Sequence, residues 1–187
     1  MNRREAISAV AWLLGGTVVG ADLLVSCTSK PVQVNSLFNA DQVALLNEVA
    51  ETILPATSTP GAKEAKVGDF MAQMVLDCYK KEDQEVFTAG INKLDQASKA
   101  KYGDTFMYLD KAKKTALLTA LDQEQKEYQS SKKSEDPNHY FRMMKELTLV
   151  GYFTSEVGAT QALRYDPVPG KYDGCMPYKK GDKAWAT

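Results

Sequence analysis

From residue 38 onward, apolar side chains recur at three- and four-residue intervals, a period that predicts helices. Asn39 is an N-cap residue type, Gln42 follows three positions later as in a capping box, and Phe38 is placed to staple onto Val43. Val43, Leu46, Val49, Ala50 and Ile53 then mark one face, until Pro55 ends the helix by restricting the residue before it and offering no N–H. Residues 55–62, PATSTPGA, read as a loop. A second helix is expected to start near Gly68-Asp69, with Val67, Phe70, Met71, Met74, Val75 and Cys78 on its buried face. A third runs from about Lys81 to Lys99 with Phe87, Ile91 and Leu94 inward, and Gly103-Asp104 makes a turn. Asp110 caps a fourth through Ala116, Leu117, Ala120 and Leu121, which leaves a polar end at residues 122–133. Asp136-Pro137 supplies an N-cap followed by proline at the first helical position of a fifth. That helix is expected to carry Tyr140, Phe141, Met144, Leu147 and Leu149 inward and to end near Phe153, and Ser155 caps a short last one to about Leu163. No stretch shows the period of two that marks a strand. The prediction is an all-α domain over residues 38–187, a single helical bundle of about five to six helices.

Two parts of the chain break the pattern. The tail, residues 164–178 (RYDPVPGKYDGCMPY), is rich in Pro, Gly and Tyr and has no period, so it wraps over the helices or docks on a partner. At the other end, residues 1–26 read as an address. Arg3 and Arg4 precede an apolar run over residues 6–25 whose hydrophobicity is tempered by Gly15, Gly16, Gly20 and Asp22. Twin arginines before a weakly apolar stretch look like the signal of the twin-arginine pathway, which moves folded cargo; the other reading is an ordinary secretory signal. Export follows from both. Leu24-Val25-Ser26-Cys27 matches the lipobox of bacterial lipoproteins, in which Cys27 receives a diacylglycerol and becomes the N-terminus. A transmembrane anchor is the weaker alternative, because the run is barely long enough to span a bilayer and contains Asp22. Residues 27–37 then form a tether, and the acyl chains hold the protein at a membrane surface by burying methylenes at roughly 0.8 kcal/mol each.

Composition narrows the function. The chain has 187 residues, 44% apolar and 25% charged, with a formal net charge of -1, enough for one domain with its own core. Near-neutral charge without a basic stripe argues against nucleic acid as a partner. Cys78 and Cys175 form an even pair in an oxidising compartment, most simply a disulfide worth about 2–4 kcal/mol, with a bond to a partner subunit as the alternative. The catalytic search is negative. The sequence contains no GxGxxG or P-loop, no C-x-x-C-H, and too few cysteines for an iron–sulfur cluster. His139 is the only histidine and has no nucleophile placed near it by spacing. Met71, Met74, Met143, Met144 and Met176 read as core or adaptable contact surface, and Gly151 and Gly158 as sites of close packing or capping. No catalytic, cofactor-binding or metal-binding residue is therefore assigned, and the expectation is a binding protein with no cofactor of its own.

Residues 139–178, with Gly151-Tyr152-Phe153-Thr154-Ser155-Glu156 followed by Pro169-Gly170 and Gly174-Cys175, resemble the gluconate 2-dehydrogenase subunit 3 family. Residues 51–70, with Thr59-Pro60-Gly61-Ala62, add to the resemblance. It implies a small subunit that pairs with a large FAD-dependent dehydrogenase of the glucose–methanol–choline class acting on a sugar, sugar acid or polyol. A cytochrome c subunit is a third candidate member. The flavin would belong to the partner, which travels folded under the small subunit's signal. A lipobox is not general in the family, so Cys27 points to an added anchoring role. Tyr152, Phe153, Tyr165, Tyr172 and Tyr178 are the interface candidates, with Tyr152 and Phe153 alternatively completing the core. The competing functional reading is a stand-alone periplasmic structural or solute-binding lipoprotein.

Overall fold

The first helix, α1, spans Ala40–Ile53 and begins as its sequence dictates. The Asn39 side chain accepts from the Gln42 amide at 2.9 Å, and the Gln42 side chain accepts from the Asn39 amide at 3.0 Å. Two donors that the helix cannot satisfy are thereby paired. Phe38, just outside the cap, is fully buried and joins Val43 in the core. The computed structural model describes residues 32–168, 170–171 and 173–186. Residues Gln33–Thr187 form one compact unit.

Four more helices complete the bundle. α2 (Val67–Cys78) starts from Lys66, whose backbone is left-handed at φ 51° and whose side chain makes no cap. Its first turn is tied down from α1 instead, where Asn47 Oδ1 accepts from the Gly68 amide at 2.8 Å. α3 (Lys81–Tyr102) runs past the expected Lys99 and ends on Gly103 at φ 81°, a left-handed stop that glycine adopts without steric cost. A short 3-10 turn, Phe106–Tyr108, sends Phe106 fully into the core. α4 (Lys111–Ser131) is capped by Asp110, which accepts from the Lys113 amide at 2.9 Å.

α5 (Tyr140–Phe153) is the central element, packing against α1, α2, α3 and α4. It buries Tyr140, Phe141, Met143, Met144, Leu147, Thr148, Gly151 and Tyr152, more than a single helical stripe. Gly151 is small for a reason: a Cβ there would lie 2.5 Å from the ring of Phe70 on α2. The helix does not start where Asp136-Pro137 predicts. Asp136 instead closes a turn by accepting from the Lys133 amide at 2.9 Å, and His139 is the N-cap, its Nδ1 accepting from the Phe141 amide at 3.3 Å.

After α5 the Ser155 hydroxyl accepts from the Gly158 amide at 3.0 Å, and a π-wound turn, Gly158–Ala162, reaches the expected end near Leu163. The expectation of no strand is corrected here. β1 (Arg164–Tyr165) pairs in parallel with β2 (Trp185–Ala186), and the Arg164 guanidinium lies 4.0 Å from the centroid of the Trp185 ring. Two residues per strand are too few to leave a periodic signal. Among the described residues no helix is long and apolar enough to cross a membrane.

Candidate partner interface

The loop over residues 55–66 and the end of α5 carry the two sequence segments singled out above, and the fold brings them into contact. Glu51, on the last turn of α1, accepts from the Ala56 amide at 3.0 Å and from the Lys63 amide at 2.9 Å, closing the loop. One turn earlier, Glu48 pairs with Lys63 at 2.7 Å and with Lys114 of α4 at 2.8 Å. Burial pushes the Glu48 carboxyl up, and the hydrogen bonds from Lys114 and Lys63 more than reverse this, so it sits below the ordinary carboxylate range. Across from them the Tyr152 hydroxyl donates to the Pro60 carbonyl at 2.6 Å. The loop is therefore fixed directly to α1 and α5, and Glu48, which holds Lys63, also ties α1 to α4 through Lys114.

Tyr152 is consequently not a docking residue. Its side chain is 4% exposed and belongs to the core, so its place among the interface candidates is corrected. Its ring meets Phe153 edge-on, with centroids 5.2 Å apart, and Phe153 is at the surface. Leu149, expected to point inward, is exposed too. Together with Val150 it makes Leu149, Val150 and Phe153 an apolar patch at i, i+1 and i+4 on the solvent side of α5. Helical geometry could have revealed this patch, because at 3.6 residues per turn position 149 lies off the face set by residues 141, 144, 148 and 152.

The remaining candidates are scattered. Tyr165 and Tyr178 are exposed. Tyr172, Arg3, Arg4 and Cys27 lie outside the described residues. Cys78, at the end of α2, and Cys175, in the tail, are exposed free thiols, so the disulfide expected between them is not formed here.

The groove of about 440 Å³ beside His139 is lined by Lys93, Glu124, Tyr128 and Tyr140 among others. The imidazole caps α5 through Nδ1, and its Nε2 lies 3.5 Å from Glu124. Burial holds the His139 pKa below its ordinary value despite the attraction of Glu124. This is the environment of a neutral, structural histidine, with its acceptor nitrogen already engaged. Among the described residues no group of three or more His, Cys, Asp or Glu could hold a metal ion.

The geometry supports contact chemistry: an apolar patch on the most tightly packed helix, next to a pinned loop and an exposed tail. A family model described as gluconate 2-dehydrogenase subunit 3 matches residues 40–170. Neither a curated protein nor a solved structure matches the chain.

Proposed function

Because the chain belongs to the gluconate 2-dehydrogenase subunit 3 family, we propose that it is a non-catalytic small subunit of a dehydrogenase complex. Its partner is a large FAD-dependent subunit of the glucose–methanol–choline class that oxidises a sugar, sugar acid or polyol. The observation that carries this reading is the family match, which runs from the start of α1 into the tail. The patch of Leu149, Val150 and Phe153, with Tyr165 beyond it, is the protein-binding face, since exposed apolar side chains grouped on a rigid helix suit a partner surface.

Two further roles follow from the N-terminal sequence. Arg3 and Arg4 send the assembled pair through a pathway for folded proteins, which a flavoprotein that acquires FAD before export requires. Cys27, once lipidated, holds the complex at the periplasmic side of a membrane. Replacing both Arg3 and Arg4 by Lys tests the export role. The flavoprotein is expected to stay in the cytoplasm with this chain. A flavoprotein that reaches the periplasmic side unaided would remove that role.

A further inference from the structure

The charge of the chain is unevenly distributed. Residues 32–163 carry 15 Lys/Arg against 19 Asp/Glu, whereas residues 164–187 carry five Lys/Arg against three Asp. The three tail carboxylates all cap local backbone. Asp166 accepts from the Val168 amide at 3.3 Å, Asp173 from the Cys175 amide at 3.1 Å, and Asp182 from the Lys179 amide at 2.8 Å. The cations are disposed differently. Arg164 stacks on Trp185, and Lys183 donates to the Gln161 carbonyl. Lys171, Lys179 and Lys180 are exposed and have no carboxylate partner among the described residues. Interleaved with these cations are Met176, Tyr178 and Trp185, all exposed, with Tyr178 at 76%. The pairing of β1 with β2 joins the two ends of this segment, and Lys183 ties it back to the turn before β1.

We propose that this C-terminal loop is a membrane contact, with Lys171, Lys179 and Lys180 facing an anionic lipid surface and Tyr178 and Trp185 seated at the headgroup level. The charge complementarity is direct. Lysine is a flexible, strongly hydrated point charge suited to a diffuse anionic surface, and Tyr and Trp concentrate at membrane–water boundaries. Each such lysine multiplies partitioning by about a factor of five. The occupant is lipid rather than the dehydrogenase subunit, because the groove of about 470 Å³ at the base of the loop, lined by Arg164, Tyr165, Asp182 and Lys183 among others, includes none of the three lysines, and residues 171–187 lie beyond the span matched by the family. This inference extends the proposed membrane location without depending on a lipid at Cys27.

The test uses residues 33–187, a compact unit with its own core that lacks Cys27. Its only tryptophan is Trp185, so emission reports on the loop directly. Sedimentation and fluorescence are followed with vesicles of phosphatidylcholine alone and with added phosphatidylglycerol. Binding and a blue-shifted emission are expected only with the anionic lipid, reversed by salt. Lys171→Gln, Lys179→Gln and Lys180→Gln combined should lower partitioning about 100-fold with the circular dichroism unchanged. Absence of binding, or equal binding to neutral vesicles, overturns the proposal. So does a triple variant that binds vesicles normally while losing a co-purifying large subunit, which would make the loop a protein contact. None of these failures bears on the small-subunit reading itself, because the family match stands apart from the vesicle assay.

Discussion

Tyr152→Phe removes one hydroxyl and leaves the aromatic ring in place, so it isolates the bond that joins α5 to the loop. That bond spans 92 residues of sequence, is 2.6 Å long, and comes from a side chain only 4% exposed. A net hydrogen bond contributes about 1 kcal/mol, and an abandoned, partly buried carbonyl raises the loss to about 1–2 kcal/mol. For a domain of this size the melting temperature falls about 2–4 °C per kcal/mol, so a drop of roughly 2–8 °C is expected. In urea the midpoint should shift while the slope stays fixed. A second readout is local. Lys63 and Lys66 lie in the pinned loop, and trypsin should cut there faster in the variant because the loop opens more often. Tyr152→Ala also deletes the ring and should cost about 3–5 kcal/mol in total. If Tyr152→Phe melts with the parent and is cut no faster, the hydroxyl does not hold the loop and the reasoning fails.

Three other outcomes follow from the same structure. A Cβ at Gly90 on α3 would lie 2.5–2.6 Å from the ring of Tyr140, so Gly90→Ala should destabilise by about 1–3 kcal/mol despite alanine's helix preference, as a denaturant titration would record. On acidification His139 resists protonation because it is buried, so the folded state binds its proton less readily than the unfolded chain and stability falls as pH drops below 6.5; His139→Asn, which keeps a cap acceptor, should flatten that part of a melting-temperature profile. A further loss belongs to Asp122, which Lys126 and Lys145 hold at about 2, and to Glu48; both contributions persist above 4.5 and disappear as pH falls toward 2, in both versions of the protein. Leu149→Glu with Phe153→Glu should cost about 1–2 kcal/mol, largely through the lost edge-on contact of Phe153 with Tyr152, and leave the protein folded at ambient temperature by circular dichroism, yet abolish co-purification of the large subunit.

Local chemistry made much of the bundle legible. The capping box at Asn39 and the cap at Asp110 need only neighbours three residues away, and both occur as expected. Proline at 55 and glycine at 103 ended helices for stereochemical reasons that context does not override. Choices settled by tertiary contact were not legible. Asp136 and His139 are both cap residue types near one helix start, and the burial of His139 against Tyr140, with ring centroids 4.4 Å apart, decides between them. Lys66 adopts a left-handed backbone because α2 is fastened from α1 through Asn47, a constraint absent from its neighbours in sequence. The same holds for the interface. An aromatic pair at 152–153 looks equally suited to core or surface, and only the packing around α5 sends Tyr152 inward and leaves Phe153 outside. The pairing of residues 164–165 with 185–186 joins positions 21 residues apart and has no local precursor.

The central claim is that this chain works as part of a flavin-dependent dehydrogenase. Its most direct test is to capture the tagged protein from its native membranes and record the absorption spectrum of the eluate. A larger co-eluting subunit with flavin bands is the predicted result. A lone, colourless chain would contradict the account and favour a stand-alone lipoprotein.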